Sequence, residues 1–139
     1  MRTGAQKAVL MADDDEEDCF LAREAFEASG ATAAFASVEN GLKLMAHLSE
    51  CCRSNPSGLP ALILLDLNMP LKDGREALLE IRSQPALRHI PVVILTTSEE
   101  EKDVAFTMKA GANSFITKPA TFDEWVGIMK SLAELWLSR

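Results

Sequence analysis

Apolar and polar residues follow one another along the chain in blocks whose lengths predict alternating strands and helices. Three short runs, at residues 7–12, 61–65 and 91–95, are almost wholly apolar and are bounded by polar or turn-forming residues. Runs of this kind are typical of strands that are buried on both faces of a parallel sheet. Two weaker strands are predicted at residues 33–38 and 114–117.

A segment with helical spacing of its apolar residues follows each predicted strand. The predicted helices cover residues 19–28, a segment from Asn40-Gly41 to the polar loop at 53–58, and then residues 75–83, 99–110 and 121–137. Asn40-Gly41 could also form a hairpin turn, but the spacing of the residues after it favours a helix start. Thr121 has the right side chain and position to cap the last helix.

The predicted order is βαβαβαβαβα, which indicates an α/β fold. Short connections and right-handed crossovers would give a parallel five-stranded sheet with helices on both faces. The chain of 139 residues has the length of one domain. We therefore expect a single domain over residues 1–139, with no output domain after the last helix.

Composition and charge narrow the classes of function. The chain is 47% hydrophobic and 25% charged, with a net charge of −7, which argues against nucleic acid or an anionic membrane as a direct partner. Its three cysteines, two of them adjacent, form no disulfide framework and have no zinc-site spacing. With no signal peptide recognisable in residues 1–7 and no apolar run long enough to span a membrane, we expect a cytoplasmic protein.

Polar side chains follow four of the five predicted strands at the points where they end. Asp13-Asp14 follows the first strand, Asp66 the third, Thr96 the fourth and Lys118 the fifth. Open α/β sheets bind their ligands at this edge. Crowded carboxylates without histidine or thiolate partners suit Mg²⁺, and a lysine and a hydroxyl suit the oxygens of a phosphoryl group. An aspartate is also a competent nucleophile towards phosphorus.

Each of these residues has a simpler explanation when it is taken alone. Asp66 could merely leave the core at a strand end, Lys118 could be a solvated surface lysine, and Thr96 could cap a helix. The acids at 15–18 are explained by the dipole of the helix that follows them, and we assign them no further role. The joint occurrence of all four features at one edge of one sheet makes coincidence improbable.

The ordered motifs of the chain resemble the receiver domain of two-component response regulators. They are Met-Ala-Asp13-Asp14, Leu-Leu-Asp66-Leu-Asn68-Met-Pro70, Asp73-Gly74, Thr96-Thr97 and Thr-Lys118-Pro119. The resemblance covers nearly the whole chain. It implies a flavodoxin-like doubly wound sheet with strand order 2-1-3-4-5.

The resemblance assigns the metal and the phosphoacceptor to the acidic residues. Asp66 is the expected phosphoacceptor and also a ligand of Mg²⁺. Asp14 is expected to bind Mg²⁺ directly, and Asp13 to hold a metal-bound water. The backbone carbonyl of Asn68 completes the implied protein ligands.

The same resemblance assigns roles to the residues after the last two strands. Thr96 and Lys118 are expected to contact the phosphoryl oxygens, and Thr97 matches a position where a small residue leaves access to them. Pro119 is expected to follow a cis peptide bond that aims the lysine into the site.

Thr96 and Phe115 match the pair whose coupled shift acts as the switch in receivers. Their movement would reorient the surface made by the fourth helix, the fifth strand and the last helix. Phe115 lacks the hydroxyl of the tyrosine that many receivers have there, and a simple role in core packing is its alternative. Asn68 and Ser98 match positions that tune the lifetime of the phosphoryl group.

The implied function is a signalling phospho-switch rather than a metabolic enzyme. The expected partner is a sensor histidine kinase whose phosphohistidine supplies the phosphoryl group, in a transfer that the receiver itself catalyses, followed by autodephosphorylation. The polar loop and the segment at residues 87–98 look most like stand-alone receivers paired with phytochrome-type histidine kinases. A phosphotransfer protein is an alternative donor.

The sequence is also compatible with other assemblies and functions. If Val104, Met108, Trp125 and Trp136 leave an exposed apolar strip, a homodimer or an output partner at the switch surface is expected, but core packing is the favoured explanation for most of them. The main functional alternative is a binding module that works without phosphorylation. A phosphate-ester hydrolase, or a phosphoryl carrier that uses His47 or His89, is a weaker interpretation.

Overall fold

A computed structural model, which describes residues 7–137, confirms the predicted order of elements and the α/β fold. The strands are β1 (Ala8–Ala12), β2 (Ala34–Val38), β3 (Leu62–Leu65), β4 (Val92–Thr96) and β5 (Ser114–Thr117). The helices are α1 (Glu16–Ala28), α2 (Gly41–Ser54), α3 (Gly74–Ser83), α4 (Glu101–Lys109) and α5 (Phe122–Trp136). The five strands are parallel and lie in the order β2-β1-β3-β4-β5, as the resemblance implies.

Side-chain caps account for most helix starts. Asp15 caps α1 by accepting the N–H groups of Glu17 and Asp18, so this helix begins earlier than the predicted residue 19. Asn40 accepts the N–H of Lys43, which rules out the hairpin alternative at this point. Thr121 caps α5 within a capping box, as predicted. The predicted start of α4 at residue 99 was two residues early, and the loop at 53–58 contains a 3-10 turn at Pro56–Gly58.

The core consists of two apolar layers, one on each face of the sheet. Alternate residues of β1 point to opposite layers: Leu10 packs with α2 and α3, whereas Val9 and Met11 pack with α1 and α5. All residues of β3 and β4 are buried, while β2 and β5 at the sheet edges are largely half-buried or exposed. The sheet is therefore rigidly held where its central strands end.

Helix α4 differs from the other four helices in what it buries. Of its side chains, only Asp103 and Thr107 are buried, and neither is apolar. Its attachment to the rest of the molecule therefore depends on polar contacts. Among residues 7–137, no helix is long and apolar enough to cross a membrane. Residues 1–6, to which most of the signal-peptide argument refers, lie outside the described residues.

Candidate functional site

The backbone of the sheet brings the predicted carboxylates together. The N–H of Asp66 donates to Ala12 O at 3.0 Å and the N–H of Asp13 donates to Val38 O at 3.0 Å, which extends the strand pairing beyond the strand ends. Carboxylate oxygens of Asp13, Asp14 and Asp66 all lie within 4.8 Å of one another. Asp13 and Asp66 are buried, whereas Asp14 is exposed and closes the cluster on the solvent side.

Lys118 lies in the middle of this cluster. Its backbone N–H donates to Thr96 O at 2.8 Å, which fixes the residue beside the end of β4. Its Nζ lies 2.7 Å from Asp13 Oδ2, 2.7 Å from Asp18 Oδ2 and 3.3 Å from Asp66 Oδ2. The side chain is only 7% exposed, so the solvated-surface alternative for Lys118 is wrong.

Asp18 is a member of the site that the sequence analysis missed. The helix dipole is an incomplete explanation of the acids at 15–18, because the carboxylate of Asp18 also accepts a hydrogen bond from Lys118. The two residues lie far apart in sequence. The available signal was the position of Asp18 in the first turn of α1, directly after the carboxyl end of β1.

Burial and charge shift the acid–base equilibria of the site in opposite directions. Burial, reinforced by the charge of Asp66, raises the pKa of Asp13 to about 6 although Lys118 and the N–H of Asp15 favour its charged form. Burial alone would lower the pKa of Lys118, but its contacts with Asp13 and Asp18 outweigh burial and hold that pKa above its ordinary range. Lys118 therefore remains a cation at neutral pH.

The residues at the strand ends fit a divalent metal ion. Asp13 Oδ2 is buried and forms an ion pair with Lys118 Nζ at 2.7 Å. This contact lacks hydrogen-bond alignment, so Asp13 Oδ2 accepts no hydrogen bond from the described residues. Its other oxygen accepts the N–H of Asp15 at 2.9 Å. A cluster of three carboxylates, all with oxygen donors, is the ligand set that hard cations prefer. Asn68 follows Asp66 in an exposed loop, and the role of its carbonyl stays a prediction.

Thr96 and Phe115 occupy the positions from which the switch would act. Thr96 is fully buried at the end of β4 and does not cap α4, whose N-cap is Glu100. Phe115 is half-buried and packs against the core layer on the α2 and α3 side of the sheet. Thr97 is exposed. The switch role of Thr96 and Phe115 stays a prediction.

The expected cis peptide bond before Pro119 was wrong. The Lys118–Pro119 bond is trans, as are the other peptide bonds of the described residues. Lys118 is aimed into the site instead by its backbone hydrogen bond to Thr96 and by the carboxylates that surround its ammonium group.

The loop between Asp66 and α3 is tightly folded. Leu71 has φ of 69°, in the left-handed region, and its side chain is 75% exposed. A Cβ at Gly74 would lie 2.1 Å from the carbonyl oxygen of Asp66, so this position requires glycine. The start of α3 therefore rests directly against the backbone of the predicted phosphoacceptor.

A second polar cluster connects α3 to α4 and was not predicted. Arg75 donates to Asp103 Oδ1 through Nε at 3.2 Å and Nη2 at 2.7 Å, and Ser98 Oγ donates to Asp103 Oδ2 at 2.6 Å. The hydrogen bond from Ser98, followed by that from Arg75, holds the pKa of Asp103 below its ordinary range. Nothing in the spacing of these residues along the chain indicates their contact.

The remaining candidates separate into buried and exposed residues. Trp125 is buried in the core, whereas Val104 and Met108 are 36% and 44% exposed on α4. The predicted apolar strip is therefore split between core packing and surface. His47 and His89 are both exposed.

Comparisons with known proteins agree on one family. The family model of the response regulator receiver domain matches residues 9–130. The response regulator Rcp1 of Synechocystis is 37% identical over 131 residues, which covers 94% of this chain and 89% of that protein.

Solved structures similar to this one include the phosphorylated cyanobacterial phytochrome response regulator RcpA, with a TM-score of 0.86 and 39% identity over 96% of each chain. They also include the Mn²⁺-bound form of Rcp1, with a TM-score of 0.83 and 36% identity over 95% of each chain.

Proposed function

The chain belongs to the response regulator receiver domain family, and from this we propose that it is a signalling phospho-switch whose phosphoacceptor is Asp66. The observation that carries the proposal is the buried Asp66 carboxylate with Lys118 Nζ at 3.3 Å and two further acids beside it. Few other functions need a nucleophilic acid, a lysine and oxygen ligands for a hard metal ion at one edge of a sheet.

The proposed reaction is a phosphoryl transfer from a phosphohistidine of a sensor kinase. A carboxylate oxygen of Asp66 attacks the phosphorus, the P–N bond breaks, and the imidazole leaves with the electron pair of that bond. The Lys118 ammonium donates hydrogen bonds to the phosphoryl oxygens and stabilises their charge, and the Thr96 hydroxyl would donate another. Hydrolysis of the resulting acyl phosphate would reset the switch.

Asp13, Asp14, Asp66 and the Asn68 carbonyl would hold Mg²⁺, with Asp13 acting through a bound water. When bound, the ion supplies positive charge that neutralises the acids and the phosphoryl oxygens. The buried Asp13 Oδ2, which accepts no aligned hydrogen bond from the described residues, supports this assignment. So does the existence of an Mn²⁺-bound structure of the similar regulator Rcp1.

The proposed partner is a phytochrome-type histidine kinase, and the proposed location is the cytoplasm. The similarity to RcpA, a phytochrome response regulator, extends over 96% of this chain and supports that pairing. The same coverage, of this chain and of RcpA alike, supports a receiver that acts through contacts with other proteins.

The proposed output surface consists of α4, β5 and α5, and its use as a homodimer interface is part of the proposal. Val104 and Met108 lie one turn apart on α4 and are both partly exposed, and Leu135 on α5 is 70% exposed. Phosphorylation would reach this surface through Thr96 and Phe115. Sedimentation of the protein with and without beryllofluoride and Mg²⁺ would reveal dimerisation.

The central test is phosphorylation with acetyl phosphate and Mg²⁺. The wild type should gain one acid-stable, base-labile phosphoryl group, detected by intact-protein mass spectrometry, and Asp66→Asn should gain none. Asp123→Asn, which removes an exposed acid on α5, is the matched control and should be labelled like the wild type. Equal labelling of Asp66→Asn would exclude Asp66, and no labelling of the wild type would favour a binding module that works without phosphorylation.

A further inference from the structure

We propose that Asp18 is a positioning residue for phosphoryl transfer, which holds the Lys118 ammonium group between α1 and the phosphoacceptor. The inference rests on the proposed function of Asp66 and adds a residue to it. Asp18 is not among the three acids that could share a metal ion, so its contact with Lys118 needs a separate explanation.

The ammonium group of Lys118 contacts three carboxylates. An ammonium group has three N–H donors and no acceptor. Hydrogen bonds to Asp18 Oδ2 at 2.7 Å and to Asp66 Oδ2 at 3.3 Å use two of these donors, and an ion pair at 2.7 Å joins the group to Asp13 Oδ2. The shorter of the two hydrogen bonds is the one to Asp18, so Asp18 and Asp13, each 2.7 Å from Nζ, together hold the ammonium group beside Asp66.

Both ends of the Asp18–Lys118 hydrogen bond are anchored by the backbone. Asp15 caps α1 and accepts the N–H of Asp18 at 3.1 Å, which fixes the first turn of the helix. Further along, α1 packs into the core through Ala22 and Phe26. Lys118 is held by its own N–H to Thr96. These anchors hold the ammonium group at the end of the flexible Lys118 side chain in one position.

Removal of the Asp18 carboxylate should change the rate of phosphoryl transfer in opposite directions, depending on whether Asp18 acts by positioning Lys118 or only through its charge. Loss of one negative charge near the site should speed the approach of an anionic phosphodonor. Loss of the contact should leave Nζ less well placed and slow the transfer, by about tenfold if the misplacement is modest. A slower transfer therefore cannot be attributed to the change in net charge.

The first experiment compares transfer rates from acetyl phosphate at saturating Mg²⁺. Asp18→Asn should be phosphorylated on Asp66 about tenfold more slowly than the wild type. Glu17→Gln, which removes the same charge from the neighbouring exposed position, should match or exceed the wild type. Asp18→Glu keeps the carboxylate and should recover most of the rate. Asp18→Ser provides a second uncharged variant if Asp18→Asn does not fold by circular dichroism.

The second experiment measures the position of Lys118 without any transfer. Brief acetylation with acetic anhydride, followed by peptide mass spectrometry, gives the reactivity of Lys118 relative to Lys102, whose side chain is 82% exposed. Asp18→Asn should raise that ratio severalfold, and Glu17→Gln should leave it unchanged.

The two experiments distinguish failure of this inference from failure of the proposed function. Wild-type transfer rates and unchanged Lys118 reactivity in Asp18→Asn would overturn the role of Asp18 while leaving Asp66 as the acceptor. Absence of labelling in the wild type would overturn the proposed function and with it the transfer role of Asp18. In that case, raised Lys118 reactivity in Asp18→Asn would still establish the contact.

Discussion

Asp13, Asp18 and Asp66 contact Lys118, and Asp14 lies beside Asp13 and Asp66, so these four acids and one lysine leave the described site with an excess of negative charge. Two of these acids are buried, where charge is weakly screened and mutual repulsion is strong. A divalent cation would remove most of this imbalance. The metal-free protein is therefore expected to hold its site at some cost in folding free energy.

Asp13→Asn tests this cost. The folded-state pKa of Asp13, about 6, lies above its ordinary value of 3.8, so the charged form destabilises the fold increasingly as pH rises through that window. At pH 7 the substitution should raise the free energy of unfolding of the metal-free protein by about 1–2 kcal/mol. It should also remove most of the stabilisation that Mg²⁺ gives to the wild type. Urea denaturation with and without MgCl₂ measures both effects.

Asp123→Asn, which removes an exposed acid, is the control for the change in net charge and should change neither quantity appreciably. A destabilised Asp13→Asn protein would mean that the contact of Asp13 with Lys118 outweighs its burial. Undiminished stabilisation by Mg²⁺ would exclude Asp13 from the metal site.

Gly74 and Gly127 are two helical glycines that should respond to alanine in opposite directions. A Cβ at Gly74 would lie 2.1 Å from the backbone oxygen of Asp66, which cannot move without displacing the end of β3. Gly74→Ala should destabilise the fold by about 2–3 kcal/mol. A Cβ at Gly127 meets nothing within 4 Å, so Gly127→Ala should stabilise α5 by about 0.5–1 kcal/mol. Chemical denaturation of the pair measures the contrast, and similar effects at both positions would contradict it.

Among the elements, α4 buries no apolar side chain fully, and its buried Asp103 is held by hydrogen bonds from Arg75 and Ser98. Asp103→Asn should destabilise the protein by about 2 kcal/mol at pH 7, because the half-buried Arg75 loses its charged partner. Since the folded-state pKa of Asp103 lies below 3.8, its contribution is present above that pH and is lost as pH falls through the folded value. Denaturation from pH 7 to pH 3 should show the difference between variant and wild type shrinking only at the acidic end.

The exposed pair of Lys102 and Glu100, at the start of the same helix, provides a control for this prediction. Lys102 Nζ lies 3.6 Å from Glu100 Oε1, and the two side chains are 82% and 62% exposed. Glu100→Gln should change the free energy of unfolding by less than about 0.5 kcal/mol. If both substitutions have equal effects, the Asp103 contact is not what anchors α4.

The elements themselves were largely predictable from sequence, because each depends on a local pattern. Apolar runs predicted the central strands. Asn40 and Thr121 predicted helix starts because their side chains accept hydrogen bonds from N–H groups in the first turn. The grouping of Asp13, Asp66 and Lys118 could also be predicted, because the order of strands and helices alone brings the carboxyl ends of the strands to one edge of the sheet. The contacts that were missed, Asp18 with Lys118 and Arg75 with Asp103, join distant parts of the chain through side-chain directions that no local pattern encodes.

In the molecule as a whole, rigidity is unevenly distributed. The sheet and the helices α1, α2, α3 and α5 contribute large apolar side chains to the two core layers, whereas the buried side chains of α4 are Asp103 and Thr107. Local opening costs least where few apolar contacts are broken. This leaves α4, a part of the proposed output surface, as the helix that is easiest to displace.

Native-state hydrogen exchange should therefore show lower protection for the amides of α4 than for those of α3 and α5, through openings smaller than global unfolding. Asp103→Asn should lower the protection of the α4 amides further. The α5 amides of this variant should still exchange only through its global unfolding. Beryllofluoride with Mg²⁺ should change exchange in α4 more than in α2, because α4 follows the strand that ends in Thr96. Uniform protection across all helices, or a change confined to α2, would indicate that the molecule opens only as a unit and that α4 is not its movable element.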